Sequence, residues 1–395
     1  MGIRKVCYPM NNMVINFPFP GPVIYGQGAI ECLGEQVEKM GGKHPLLVTG
    51  KKIEKLGLLD AVTDSIKKVG IDLSIFQDSG INPTVMDVER GVRRYIDDNC
   101  DMLIALGGGS RIDIAKAIRL MVSHSGDINS YFFDSGGFGR INPVLLPVLI
   151  CIPTTAGSGS EVSRGAVITD KIQKRKRLIA GPGMTSSLSI IDPDLTLTMD
   201  KQTTAMTGMD ALSHALETSV GKNYNPFADG LSLHAATVIY KNLPKVMENG
   251  RDVDARMNML IASGMAAIGF AKGLGVVHSL AHQILNVSHG IAISILLPYG
   301  MEFNLDVCYK EYSSIATTIG LVSPGSNPKK NAELLVDAIR GLCIDFNLPT
   351  RLSEIGIKRE ELEIMSENAL LDHCHKTNPK SCDKDDMFNI LSKAF

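Results

Sequence analysis

Met102-Leu-Ile-Ala-Leu-Gly-Gly-Gly-Ser110 is the stretch that decides the fold. Five apolar residues in a row are too few for a helix and suit a strand covered on both faces. The three glycines that follow allow a tight turn and a close approach of the backbone to a ligand. A helix expected from about Arg111 then offers free N–H groups and a partial positive charge at its first turn. Ser110 and Asp113 have the spacing of a capping box. Read together, Gly107, Gly108, Gly109, Ser110 and Asp113 form a cradle for a pyrophosphate. The spacing is not the G-x-G-x-x-G fingerprint of dinucleotide sites, and a plain strand-to-helix turn would use the same residues.

Working outward, residues 23–25, 45–49, 73–76, 147–153 and 188–191 also read as strands, and residues 26–40, 60–69 and 85–99 as helices. This alternation implies a parallel sheet with helices on both faces, and ligands then bind beyond the carboxyl ends of the strands. Residues 164–169 and 177–180 predict a hairpin across the polar turn 170–176. The basic run Lys174-Arg-Lys-Arg177 reads for the most part as a solvated turn. Residues 1–20 read as an irregular lead-in, because Pro18, Pro20 and Pro22 deny them a helix. No strand is expected beyond residue 192. Residues 198–395 read as helices, with breaks at Asn225-Pro226, Leu274-Gly275, Pro298, Pro324-Gly325 and Leu348-Pro349. The expected fold is an α/β nucleotide-binding domain over residues 1–195 followed by an all-α domain over residues 196–395.

The 395 residues are 44% hydrophobic and 21% charged with a formal net charge of −2, the balance of a globular enzyme. Nothing in that charge argues for nucleic acid or an anionic membrane as a partner. Eight cysteines include no C-x-x-C pair, so neither a zinc ribbon nor a redox motif is signalled. With no secretory signal at the N-terminus, a reducing cytoplasm is the expected compartment. No apolar run approaches the ~20 residues of a membrane span.

Two further stretches carry chemistry. Pro153-Thr-Thr-Ala-Gly-Ser-Gly-Ser-Glu161 follows a buried strand and offers the hydroxyls of Thr154, Thr155, Ser158 and Ser160. A second polar, glycine-rich turn at a strand's carboxyl end suggests one crevice shared with the first. Between residues 205 and 290, Asp210 and His214 stand four apart, His278 and His282 stand four apart, and His289 follows seven later. Helical residues four apart share a face, so each pair can aim two side chains at one point. Carboxylate and neutral imidazole are the usual ligands of a divalent first-row metal with open positions. One helical histidine is more often a core residue than a ligand. Two same-face pairs with a fifth candidate point toward a metal site.

Taken in order, Gly107-Gly-Gly-Ser-Arg-Ile-Asp-Ile-Ala-Lys116, Pro153-Thr-Thr-Ala-Gly-Ser-Gly-Ser-Glu-Val162, Ile191-Asp-Pro-Asp-Leu195, Thr207-Gly-Met-Asp-Ala-Leu-Ser-His214 and the run from His278 through His289 to Pro298 resemble the iron-containing (group III) alcohol dehydrogenases. The resemblance covers nearly the whole chain. It implies a nucleotide-binding α/β domain, a helical domain and an active site in the cleft between them. It further implies a catalytic divalent metal, Fe²⁺ or Zn²⁺, at Asp210, His214, His278 and His289, with His282 as a proton-relay histidine. Asn82, Gly109, Ser110, Thr154, Thr155, Lys176 and Leu195 fall on or near its cofactor-contacting positions, and homodimers are common in it. Gly50 stands where relatives that prefer NAD have Asp, and Lys51 and Lys52 follow. A missing carboxylate and two ammonium groups favour a 2′-phosphate, so NADP(H) is expected over NAD(H).

The sequence departs from the family pattern beside the metal positions. Only residues 283–288 separate His282 from His289, fewer than usual, and Ser288 replaces the usual Pro. The approach to His278, residues 269–275, is also short. The expected activity is hydride transfer between a nicotinamide and a small primary alcohol or diol, or the matching aldehyde. Two alternatives stand beside it. A dehydroquinate synthase-like lyase acts on a sugar phosphate, and the absence of Lys and Arg from residues 207–217 argues against it. A non-catalytic relative with an impaired metal site is the other.

Overall fold

The computed structural model describes residues 17, 19–77, 80, 82–173 and 175–395. The irregular lead-in expected for residues 1–20 lies outside the described residues except for Phe17, Phe19 and Pro20, which are in neither helix nor strand. Residues 78, 79 and 81 of one loop and Lys174 of the basic run also lie outside them.

Among the described residues the strands are β1 (Val23–Tyr25), β2 (Pro45–Val48), β3 (Ser74–Phe76), β4 (Met102–Gly107), β5 (Val148–Pro153), β6 (Gly165–Asp170), β7 (Arg175–Ala180) and β8 (Leu188–Ile191). Six of them form one sheet in the order β1-β8-β5-β4-β2-β3, every pair parallel. Helices α1 (Leu33–Lys39), α2 (Lys51–Lys55), α3 (Leu58–Lys68), α4 (Val85–Asp97) and α5 (Gly109–Met121) connect and cover it. The short α2 falls in a stretch that hydrophobic patterning leaves unassigned.

β4 is buried along its whole length, and its alternation splits the core in two. Leu103 and Ala105 pack with Val88, Ile112 and Ala115 on the α4–α5 side. Met102, Ile104 and Leu106 pack with Val37, Val62 and Ile66 on the α1–α3 side. A two-residue period with both faces apolar is what a central parallel strand requires. The chain runs outward from β2 to β3 and then returns to β4 on the other side of β2. That reversal opens a crevice between the carboxyl ends of β2 and β4, where open α/β sheets bind ligands. Gly50 and the turn after Gly107 sit at its two lips.

β6 and β7 pair antiparallel as a hairpin, Thr169 opposite Lys176. Arg175, Lys176 and Arg177 of the basic run lie in β7 and are not a solvated turn, which corrects the sequence reading for them. Strand alternation sends Arg175 and Arg177 to one face, where both reach Asp134 at 2.6 Å. Arg177 is buried, also pairs with Asp170 at 3.3 Å, and stacks 4.0 Å over the Phe132 ring. Lys176 points to the other face, into the cleft. Asp134 lies some forty positions away in the chain, so spacing alone could not reveal this pairing.

After β8 the chain is helical: α6 (Lys201–Val220), α7 (Pro226–Glu248), α8 (Val253–Ile268), α9 (Val276–Ala281), α10 (His289–Thr318), α11 (Pro328–Asp345), α12 (Leu362–Ala369) and α13 (Lys384–Ala394). One continuous apolar core joins them. Asn225 caps α7 by accepting from Ala228 N–H at 3.1 Å, with Pro226 at the first helical position. By length and composition α10 could cross a membrane, and here it runs through this core, with Ile293, Leu296 and Leu297 fully buried.

Pro298 does not break the chain into two helices as its sequence position suggests; it lies inside α10. A proline leaves the carbonyl four residues earlier without its helical donor. That carbonyl belongs to Ser294, and the thiol of Cys343 on α11 donates to it at 3.3 Å. The neighbouring helix thus supplies the hydrogen bond the proline removes. Cys343→Val replaces the sulfur by a methyl, adds a second methyl, and deletes the donor. We expect it to cost about 1 kcal/mol, read as a fall of about 2–4 °C in melting temperature. An unchanged melting temperature would show that the thiol contributes nothing there.

Candidate active site

A cleft of about 1150 Å³ runs between the sheet's carboxyl edge and the helices. Its sheet side holds the two glycine-rich turns. Gly107 and Pro153 are register partners on β4 and β5, so both turns leave the sheet at one level. They touch: a Cβ on Gly108 would lie 2.9 Å from Thr155 Oγ1, and one on Gly109 would lie 2.5 Å from Ser158 Oγ. Gly108, Gly109, Ser110, Thr154, Thr155 and Ser158 all line the cleft.

The expected capping box is absent. Helix α5 begins at Gly109, two residues before the expected start, and Gly108 is its cap with no side-chain bond. The first-turn N–H groups of Gly109 and Ser110 therefore face the cleft without a capping side chain, as an anion site needs. Asp113 is occupied elsewhere. It accepts from Ser160 Oγ at 2.5 Å and Val167 N–H at 2.9 Å, tying α5 to the second turn. Lys116, fully buried one turn on, donates to the carbonyls of Ser160 at 2.6 Å, Ser163 at 2.7 Å and Gly165 at 2.9 Å. Burial draws its pKa down.

Of the other cofactor candidates, Gly50, Asn82 and Lys176 line the cleft, whereas Gly107 and Leu195 do not. Leu195 is buried in the core cluster beneath the sheet. Gly107 is turned toward Arg111, whose Cγ would meet a Cβ there at 2.6 Å. Asn82 bridges the two sides by donating to Leu285 carbonyl at 3.2 Å. Gly50 caps α2 at the end of β2, and a Cβ on it would lie 2.9 Å from Arg111 Nε. The guanidinium beside Gly50 was not visible in the sequence, since the two residues are sixty positions apart. Lys52 is exposed and pairs with Asp200 at 3.2 Å.

The helical side brings Asp210, His214, His278 and His289 together. All three histidine Nε2 atoms face one oxygen, Asp210 Oδ1: His214 at 3.7 Å, His289 at 3.8 Å and His278 at 4.0 Å. Two donors at about 2.1 Å from one tetrahedral ion lie about 3.4 Å apart, so this spacing is close to that of a ligand set. Donor atoms of Asp210, His278 and His289 all lie within 4.8 Å of one another. The local fold explains the convergence. Asp210 and His214 are one turn apart on α6, and His278 sits in the first turn of α9. The chain leaves helix at His282, and His289 opens α10 as its first residue.

These groups could hold a divalent ion. Asp210 Oδ1, His278 Nε2, His214 Nδ1 and His289 Nδ1 are buried, and none has a hydrogen-bond partner among the described residues. Each orphaned buried polar atom costs about 1–3 kcal/mol, and two of them, Asp210 Oδ1 and His278 Nε2, face each other across the cluster without satisfying each other, which makes poor sense as a plain core. Burial lowers His214 to about 4 and His278 to about 3, and pushes His289 well down. All three imidazoles are therefore neutral, with a lone pair to offer. Phe270 packs edge-on against His214, ring centroids 4.8 Å apart, and it lines the cleft with Cys374.

Two carboxylates that the sequence reading missed stand behind the histidines. Glu217 meets His278 Nδ1, and Asp372 accepts from His282 Nδ1 at 2.8 Å. Burial raises Glu217 to about 7, against the lowering by its hydrogen bonds from the backbone at the start of α9. Asp372 is pushed up by burial, but His282 and its other partners outweigh this and hold it well below the usual carboxylate range. Glu217 lies seven residues after Asp210, on the same helical face, and could have been found by that spacing. Asp372 comes from ninety residues beyond His282 with no such signal. His282 itself lines the cleft and lies outside the tight donor group, its ring stacked 5.2 Å from His289.

Comparison with known proteins agrees with this arrangement. Residues 20–193 match the model of iron-containing alcohol dehydrogenases, and residues 204–395 match the C-terminal model of the same family. The chain belongs to the iron-containing alcohol dehydrogenase family. It is 35% identical to the NAD-dependent methanol dehydrogenase of Bacillus methanolicus, over 96% of this chain and 99% of the relative. It is 34% identical to a 1,3-propanediol dehydrogenase of Citrobacter freundii, over 98% of this chain and all of the relative. The structure of an alcohol dehydrogenase from Oenococcus oeni superposes with a TM-score of 0.92 at 32% identity, covering 97% of this chain and all of that one.

Lys116 offers a test of how the second turn is held. Lys116→Met removes the donor that gathers three carbonyls. Nicotinamide dinucleotide affinity, measured by fluorescence titration, should fall about tenfold or more, since hydrogen bonds to a charged group are worth about 1.5–3 kcal/mol. Metal content should stay as in the wild type, because none of the groups that Lys116 bonds is one of the four donors. Unchanged cofactor affinity would show that the turn keeps its shape without the lysine.

Proposed function

We propose that this family member is a metal-dependent oxidoreductase that transfers a hydride between a nicotinamide cofactor and a small primary alcohol or diol, or the corresponding aldehyde. The observation that carries the reading is one cleft with four metal-type donors on its helical side, three of them on buried residues and the fourth on half-buried His289, and two glycine-rich turns on its sheet side. The names of the relatives from Bacillus methanolicus and Citrobacter freundii support small alcohols and diols as the substrate class. Phe270 and Cys374 add apolar surface beside the donors, which suits a short carbon chain.

Asp210, His214, His278 and His289 would hold the ion, Fe²⁺ or Zn²⁺. The turns at Gly108–Ser110 and Thr154–Ser158 would hold the cofactor's pyrophosphate. When bound, the ion lowers the pKa of an alcohol oxygen and the nicotinamide exchanges hydride with the alcohol carbon. The protein's share is to bring the two together and to move the proton. α6, α9 and α10 fix the oxygen-binding side; the sheet edge fixes the cofactor side. His282 handles the proton. Its Nδ1 is bonded to Asp372, so Nε2 is the nitrogen that takes the hydroxyl proton in oxidation and returns it in reduction.

Metal-reconstituted protein should oxidise short primary alcohols and diols. His282→Ala should keep the metal and lose rate, about 10²-fold or more. His278→Ala should lose metal and activity together. No turnover by the wild type with either metal and either cofactor would end this reading.

For the cofactor we infer a preference for NADP(H) over NAD(H). Gly50 puts no carboxylate on the lip of the crevice, and Lys51 and the nearby Arg111 make that lip basic, with Lys52 paired to Asp200 beside them. The name of the Bacillus methanolicus relative points the other way, so the ratio must be measured. The wild type should show a higher kcat/KM with NADPH than with NADH. Gly50→Asp should shift the ratio toward NADH, because the carboxylate would both repel a 2′-phosphate and neutralise Arg111. A wild-type kcat/KM higher with NADH overturns the preference.

A further inference from the structure

Helix α6 carries Asp210, His214 and Glu217 at positions 0, 4 and 7 of one face. The first two reach the donor cluster. Glu217 is buried too, but its carboxylate lies beneath the start of α9. Oε1 accepts from Val277 N–H at 3.0 Å, and Oε2 meets His278 Nδ1. A Cβ on Gly275 would lie 2.6 Å from Glu217 Oε1, so the carboxylate occupies the space a side chain there would need.

α9 has only six residues, and its cap, Gly275, has no side chain with which to satisfy the first-turn N–H groups. Two distant side chains do so instead. Glu217 takes Val277, and Asn378 Oδ1 accepts from Val276 N–H at 3.3 Å. Asn378 is itself held by Asn304 through bonds of 3.0 and 2.8 Å. Of the two, only Glu217 also touches an imidazole of the donor cluster. A neutral imidazole carries one proton. A carboxylate at Nδ1 keeps it there and leaves the lone pair on Nε2. In His278 that Nε2 is the buried atom without a partner, 4.0 Å from Asp210 Oδ1.

We propose that Glu217 is a positioning residue that holds His278 as its Nδ1–H tautomer and pins α9 to α6, so that the Nε2 lone pair meets Asp210 at the ion. This rests on the metal reading of the site. Glutamine in the same place keeps the volume but has one acceptor oxygen and one NH₂ donor. It cannot accept from both Val277 N–H and His278 Nδ1–H. With its oxygen on Val277, its NH₂ faces His278 and selects the opposite tautomer, whose Nε2–H points at Asp210 and cannot ligate.

The test is a competition titration of metal-free protein with Fe²⁺ and Zn²⁺ against a chromophoric chelator, together with its melting temperature. Glu217→Gln should weaken metal affinity about 10–100-fold and shift the metal-free melting temperature by less than about 3 °C. Asn378→Ala removes the other cap of α9 without touching His278. It should lower the metal-free melting temperature yet keep metal affinity within about threefold, far inside the range for lost outer-sphere support. Should Glu217→Gln itself melt lower, Glu217→Asp decides the matter, since it keeps both acceptor oxygens. Affinity partly restored relative to Gln supports the proposal, and equal loss overturns it. Wild-type affinity in Glu217→Gln also overturns it, as does parallel loss of affinity and melting temperature in Glu217→Gln and Asn378→Ala, which would leave Glu217 a helix brace only. A different failure is separable. If the wild type takes up no stoichiometric metal, or His278→Ala binds as well as wild type, the metal reading falls and this proposal with it.

Discussion

One carboxylate oxygen, Asp210 Oδ1, sets the terms for the helical half of this protein. It is buried, it lacks a hydrogen-bond donor among the described residues, and three neutral imidazoles face it. A buried anion without a donor is among the most costly arrangements a core can contain. The cluster becomes sensible once a cation satisfies the oxygen and the three nitrogen lone pairs together. Everything around it maintains that convergence. α6 presents Asp210 and His214 from one face, Glu217 brings α9 against it, and the non-helical segment after His282 lets α10 begin at His289.

The sheet half meets a complementary need. An anionic cofactor requires free N–H groups at a place the backbone can approach closely. The reversal of strand order between β2 and β4 opens that place, and the start of α5 at Gly109 supplies the donors. The turn after β5 must then lie against the first without side chains in the way, which Gly108 and Gly109 permit. Asp113 and Lys116 work beneath it, holding the second turn through Ser160 and its neighbours. The cleft is therefore built from two halves with opposite electrostatics, donors of N–H on one side and donors of lone pairs on the other. Family membership gives this arrangement its chemical setting, that of alcohol dehydrogenases with a metal and a nicotinamide.

Several buried charges that look isolated along the chain are paired in space. Arg177 lies among Asp134, Asp170 and Phe132, and Arg119 donates to the carbonyls of Pro147 at 2.5 Å and Gly183 at 2.7 Å. Such groups pin irregular segments that have no ladder of their own. The same holds for Cys343, which satisfies the carbonyl left free by Pro298. In each case a long-range partner replaces a bond that local structure cannot make.

Local patterning by itself determined much of this protein. The period-2 burial of the strands, the glycine turns and the i, i+4 pairs follow from backbone geometry, so the parallel sheet, the helical second half and the Asp210–His214 pair were legible in patterning, whereas the set that adds His278 and His289 and leaves out His282 was only what the family resemblance implied. Only the tertiary structure decided the rest. It put Arg111 beside Gly50, Asp372 behind His282 and Asp134 beneath Arg177, moved the cap of α5 from Ser110 to Gly108, and carried α10 straight through Pro298. It also buried Leu195 in the core. Each of these depends on residues far apart in sequence meeting in a close-packed interior. Periodicity reports which face a residue occupies, and it does not report what that face will meet.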